Sequence, residues 1–193
     1  MPAQRKKQVP ATEYVAHPRY GHAPRLSGRK YDESHSSWSR QKGIPFISST
    51  AVKATPSRQR SLGWGRYNVL FYVDEVRKCR SCRRNYLFFA DEQRFWYEVL
   101  GIPMDIHPVR CALCRRADRQ IRRMQREYME LVALPEASRS SSQNLRLASL
   151  AIALRDAGVF TTKILQKVRR FLKLIPEVQR QKDWMALLSA TEL

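Results

Sequence analysis

Cys79-Arg80-Ser81-Cys82 and Cys111-Ala112-Leu113-Cys114 contain all four cysteines of this 193-residue chain, with 28 residues between the two pairs. A CxxC turn aims two thiolates at one ion, and two such turns at this spacing close one tetrahedral site. Four sulfur ligands leave no position for water, so the reading is one structural Zn2+ held by Cys79, Cys82, Cys111 and Cys114 in a zinc ribbon. Iron in a rubredoxin-like site would use the same ligands, and two disulfides are a further alternative. Turns of this kind often place Gly directly after the second cysteine, where positive φ is needed. Here Arg83 and Arg115 occupy those positions.

Outward from the first pair, Val76-Arg77-Lys78 enters the turn and Tyr86-Leu87-Phe88-Phe89 leaves it. The two stretches should pair as an antiparallel hairpin with the cysteine turn at its tip. Ala90-Asp91-Glu92-Gln93 then opens a short helix, its acids favoured by the helix dipole. Phe95, Trp96, Val99 and Leu100 are expected to form its apolar face, Gly101 its end, and Pro103 and Pro108 break the chain before the second pair. After Cys114 a longer helix is expected, with Ala117, Ile121, Met124, Tyr128 and Val132 at the spacing of one apolar stripe. Arg115, Arg116, Arg119, Arg122, Arg123 and Arg126 cover its other faces, and Glu127 and Glu130 offer compensating charge only at its far end.

A polar linker runs over residues 138–142. Two helices follow, with stripes Leu147, Leu150, Ala151, Leu154 and Ile164, Val168, Phe171, Ile175. Gly158 ends the first, and Thr161 or Thr162 can cap the second. A last short helix is expected after Pro176, with Val178, Trp184, Met185 and Leu188 apolar. The pair around Gly158 has the outline of a helix-turn-helix, but a Gly turn between amphipathic helices is the ordinary helical hairpin. Residues 1–70 have no sustained period and are rich in Pro, Gly, Ser and Arg, the composition of an irregular arm. The expected fold is therefore small and α+β. A basic arm (1–70) precedes a four-cysteine zinc ribbon of β-hairpin plus short helix, with its arginine helix (71–134), and a helical region (135–193) follows.

The formal net charge is +19, which points to a polyanionic partner. The arm is the most one-sided third, with 13 basic and 3 acidic residues. Arginine dominates, and its guanidinium grips phosphate in a bidentate fork. Within the arm, His17-Pro18-Arg19-Tyr20-Gly21, Trp38 and Trp64 set rings beside arginines. Such rings either stack on bases or pin the arm to the ribbon. Phosphate contacts are assigned to Arg115, Arg116, Arg119, Arg122, Arg123 and Arg126, with Arg19 and Arg25 from the arm. No run approaches the ~20 apolar residues of a membrane helix and no secretory leader is visible, so a cytoplasmic setting is expected, where thiols bind metal rather than pair. His17, His22, His35 and His107 are a weaker second ligand set. No phosphate-cradling Gly loop, Ser/His/Asp order or HExxH pattern appears. The expectation is a non-catalytic zinc protein that binds nucleic acid, DNA or RNA, with no small-molecule substrate. The alternatives are a protein-docking module using Phe95, Trp96 and the C-terminal stripes, and a thiol redox protein.

Residues 70–118 resemble a family of bacterial zinc-ribbon proteins. The resemblance rests on Asp74, Cys79, Cys82, Phe88, Phe89, Glu92-Gln93, Phe95, Gly101, Arg110-Cys111 and Cys114-Arg115; the stretch from His17 to Gly21 and the Ala157-Gly158-Val159-Phe160 region look like flanking sequence in longer members. It implies zinc and a bacterial, cytoplasmic setting, and little about activity. The segment between the cysteine pairs is longer here than is usual for that family.

Overall fold

The computed structural model describes residues 14–29, 43–62 and 68–176. His35, Trp38, Trp64 and the short helix expected after Pro176 lie outside these residues. The chain divides into two compact units, Met1–Arg116 and Ala117–Leu193, and its class is α+β.

The first unit is built on a three-stranded antiparallel sheet of order β1-β2-β3, with β1 at Phe46–Lys53, β2 at Phe71–Lys78 and β3 at Asn85–Phe88. The expected hairpin is present: Lys78 pairs with Asn85 and Glu75 with Phe88, and the first cysteine turn closes its tip. Alternation sends Tyr72, Tyr86 and Phe88 to one face with Tyr97 and Met104, while Leu87 and Phe89 join Tyr14 on the other. β1 was not expected within a stretch read as irregular. Its register against β2 shifts between Ile47 and Val52, so a bulge breaks the period-2 pattern that would have announced it. Residues 14–29 carry no strand or helix, yet they are fastened down: the Val15 N–H donates to the Asn85 carbonyl (2.8 Å) and Ser27 to Ser49 (3.1 Å).

The short helix α1 spans Ala90–Arg94 and continues into a π-helical turn at Phe95–Val99. The Leu100 N–H reaches back five residues to Phe95 (3.0 Å) before Gly101 turns the chain at φ +63. A π turn adds one residue, rotating the downstream face by about 100°. The expected apolar face is corrected accordingly. Of that face Trp96 does pack on the core, edge-on to Phe88, but the residues buried beside it are Ala90, Gln93 and Tyr97, whereas Phe95, Val99 and Leu100 are 39%, 65% and 54% exposed. The long helix α2 spans Ala112–Ala133. It begins ahead of Cys114 rather than after it, so the second cysteine pair straddles its first turn.

In the second unit, Ile121, Met124, Tyr128 and Val132 of α2 pack on α3 (Ser141–Asp156) and α4 (Ile164–Lys173). Leu147, Leu150, Ala151 and Leu154 are buried as the stripe requires, while Ala117 is exposed. Ser140 caps α3 in a full capping box with Gln143. Gly158 ends α3 at φ +73, with Val159 N–H bonded to the Leu154 carbonyl (2.8 Å). The threonine caps are corrected: Lys163 precedes α4 without a side-chain cap, and the Ile164 N–H is taken by the Thr161 carbonyl (3.1 Å). Among the described residues no helix is long and apolar enough to cross a membrane.

Candidate metal centre and basic helix

β2 delivers Cys79 at its end, and the turn that follows is held by the Cys79 N–H on the Arg84 carbonyl (2.9 Å) and the Arg83 N–H on the Cys79 carbonyl (3.0 Å). Closing this turn requires the left-handed conformation, and Arg83 adopts it at φ +58. Arg115 needs no such strain, because it sits inside α2. The turn is joined to the chain before the second pair by the Arg80 N–H on Val109 (2.9 Å) and by the Tyr86 hydroxyl on Pro108 (2.5 Å).

The four sulfurs lie within 4.8 Å of one another. Cys82 and Cys111 sulfurs are 3.9 Å apart, and all four cysteines are free. Metal–sulfur bonds of ~2.3 Å in a tetrahedron place sulfurs about 3.8 Å apart, so the donor set fits a four-thiolate ion. Burial opposes ionisation of Cys79, but the N–H groups of Cys111, Cys82 and Ser81 outweigh it and bring its pKa down to about 6. The Arg84 N–H lowers Cys82. Burial raises Cys111 and, with hydrogen bonds to the other sulfurs, Cys114 to about 12. Cys79 is thus the readiest thiolate of the four, and a divalent ion would displace the thiol protons that remain.

Around the cysteines, the residues that carried the family resemblance act as pins. The Asp74 carboxylate accepts from the Ala90 N–H (2.7 Å) and the Arg25 N–H (3.1 Å). The Gln93 amide donates to Val73 (2.6 Å) and Phe88 (2.8 Å). Glu92 accepts from the Arg115 guanidinium at 2.5 Å, with the His17 imidazole 3.6 Å away. Arg115 also lies 4.9 Å over the Trp96 ring.

The model of a family described as a probable treble clef domain matches residues 73–123. No curated protein and no solved structure matches the chain. The treble clef match covers the hairpin, both cysteine pairs and the first turns of α2, and with the four gathered cysteines it makes this segment a zinc-ribbon-type, metal-binding domain. Among the described residues no second cluster of metal-binding side chains forms, so His17, His22 and His107 are not brought together.

The basic residues singled out from the sequence separate into two groups. Arg115 is 17% exposed and committed to Glu92, and the Arg25 side chain is held by Asp91 (3.0 Å). Arg19 is exposed beside Tyr20. Arg116, Arg119, Arg122, Arg123 and Arg126 are exposed, and none ion-pairs with an acid among the described residues. Glu127 is hydrogen-bonded by Arg146 (2.6 and 2.8 Å) and is also attracted by Arg123. At about 100° per residue these five side chains fall within an arc of about 120°, opposite the apolar stripe, along ~15 Å of helix. Three of them, Arg119, Arg122 and Arg126, line an open concavity of about 700 Å³ together with Gln125, Met129 and Glu130. A further basic group, Lys78, Arg80, Arg83 and Arg84, is exposed on the first cysteine turn. Its signal was in the sequence as four cations in seven residues.

Proposed function

We propose that the chain is a non-catalytic zinc protein that binds the phosphodiester backbone of nucleic acid through the arginine face of α2. One Zn2+ on Cys79, Cys82, Cys111 and Cys114 would fix the start of that helix. The observation that carries the reading is the exposed row Arg116, Arg119, Arg122, Arg123 and Arg126, none of them ion-paired among the described residues, on the side of α2 opposite its packed stripe. Five phosphate contacts on B-DNA give a slope of log K against log salt of about −4.5. Affinity for a 20-base-pair duplex should then fall about 500-fold between 50 and 200 mM salt, read by fluorescence anisotropy. An affinity that does not change with salt would overturn the proposal.

A second reading, protein docking, draws on Phe95, Val99 and Leu100, which the π turn leaves exposed. The C-terminal stripes are withdrawn from it, because Leu147, Leu150, Leu154, Val168 and Phe171 are buried within the second unit. Docking on the exposed apolar edge would hold its affinity as salt rises.

A further inference from the structure

We infer that the first cysteine turn, residues 78–84, is a second contact surface for the phosphodiester backbone, on a different unit from the arginines of α2 beyond Arg116. This inference rests on the nucleic-acid reading above. Four observations carry it. The turn holds Lys78, Arg80, Arg83 and Arg84 and no acid, and all four side chains are exposed. None ion-pairs with an acid among the described residues, although Arg25, Arg77, Arg94 and Arg115 of the same unit each do; the Arg84 side chain instead hydrogen-bonds the Cys82 sulfur. The turn's backbone is pinned on both sides, by Cys79 with Arg84 and by Arg80 with Val109, so its cations are presented from a pre-organised frame. Lastly, Arg83 is the only non-glycine residue with positive φ among the described residues, where Gly21, Gly28, Gly43, Gly101 and Gly158 fill the other left-handed positions. Glycine would take φ +58 without steric cost. An arginine there keeps a cation at the tip of the turn in exchange for backbone strain.

The competing role for these cations is neutralisation of the negative four-thiolate site. The two roles separate in the zinc-loaded full chain. Binding to labelled 20-base-pair DNA and RNA duplexes of one sequence is followed by anisotropy from 50 to 200 mM salt, with bound zinc and Tm measured in parallel. On B-DNA each lost contact makes the slope shallower by about 0.9. Lys78→Gln with Arg80→Gln, which leaves the Arg84 contact to the Cys82 sulfur in place, should therefore lose about 1.8 from the slope, with zinc retained. Arg83→Gly should lose about 0.9 while Tm stays level or rises, a pairing that damage to the fold cannot produce. Parallel losses on DNA and RNA identify the shared backbone as the ligand, and a loss on one duplex alone identifies that duplex. A wild-type slope in both turn variants, or a wild-type slope with weakened zinc retention, overturns this inference. If wild type binds and Arg119→Gln with Arg122→Gln flattens its slope while the turn variants do not, the α2 reading stands alone. A wild-type chain that binds neither duplex overturns both.

Discussion

Arg115→Ala should cost stability and leave nucleic-acid binding by the folded protein intact, the reverse of its neighbours on the same helix. The Arg115 side chain is 17% exposed and its partner Glu92 only 7%. Truncating one member of a buried pair costs about 3–5 kcal/mol, because the remaining charge is left in a low-dielectric site. The His17 imidazole at 3.6 Å from Glu92 softens the loss, while loss of the stacking on Trp96 adds about 1 kcal/mol. The expected cost is about 3 kcal/mol, or roughly 150-fold in the ratio of folded to unfolded protein.

Urea unfolding of the zinc-loaded chain, followed by circular dichroism, measures this cost. Arg119→Ala is the control and should stay within about 0.5 kcal/mol of wild type. Replacing Glu92 and Arg115 together by Met removes both charges, so the double variant should recover much of the loss. The salt slope should be unchanged in Arg115→Ala and about 0.9 shallower in Arg119→Ala. An Arg115→Ala cost below about 1 kcal/mol, or a slope change matching that of Arg119→Ala, would refute the assignment of Arg115 to the fold.

Tyr86→Phe removes the hydroxyl that ties β3 to the Pro108 carbonyl, and leaving that acceptor unpaired should lower urea stability by about 1–2 kcal/mol. Ser140→Ala breaks the capping box of α3 and should cost about 1 kcal/mol in the thermal unfolding of the second unit. Asp74 should titrate at about 6 by carbon-detected NMR, because its burial outweighs the N–H bonds from Ala90 and Arg25. Its folded pKa lies above the unfolded value, so its ionised form is a cost that is fully present above pH ~6 and gone below pH ~4. Relative to Asp74→Asn, wild type should therefore gain stability as pH falls from 7 toward 4, and a constant difference would refute the shift.

The hairpin, the metal ligands and the stripes of α2 and α3 were legible because each rests on local spacing: cysteine pairs, period-2 alternation, and residues at steps of three and four. What was not legible depends on partners distant in sequence. β1 is interrupted by its bulge, and its Ile47, Thr50 and Val52 were a β-branched signal masked by Ser48 and Ser49. The face of α1 was misread because a π turn leaves no compositional trace, so the period was carried one residue too far. The start of α2 was placed after Cys114 because a CxxC was taken to be a turn, whereas the second pair lies on the first turn of a helix.

The arginines show most clearly why charge could be counted from sequence but not allocated. Two readings of the stretch around Tyr20 stood level, base stacking and pinning of the arm. The Tyr20 ring packs on His17 at 4.7 Å and on Phe89 at 5.4 Å, which is pinning, and Arg25 beside it is held by Asp91. In the first unit, Glu75, Asp91 and Glu92 are taken by Arg77, Arg25, Arg94 and Arg115. In the second, Glu127, Asp156 and Glu136 are taken by Arg146, Arg155 and Arg170. With those acids committed, five exposed arginines gather on the outer face of α2 and four cations on the cysteine turn, while other exposed cations such as Arg29, Lys53, Arg58 and Lys163 stand apart from both groups. Gathering five exposed arginines on one helical arc and four cations on one pinned turn makes local fields that a phosphodiester backbone can answer.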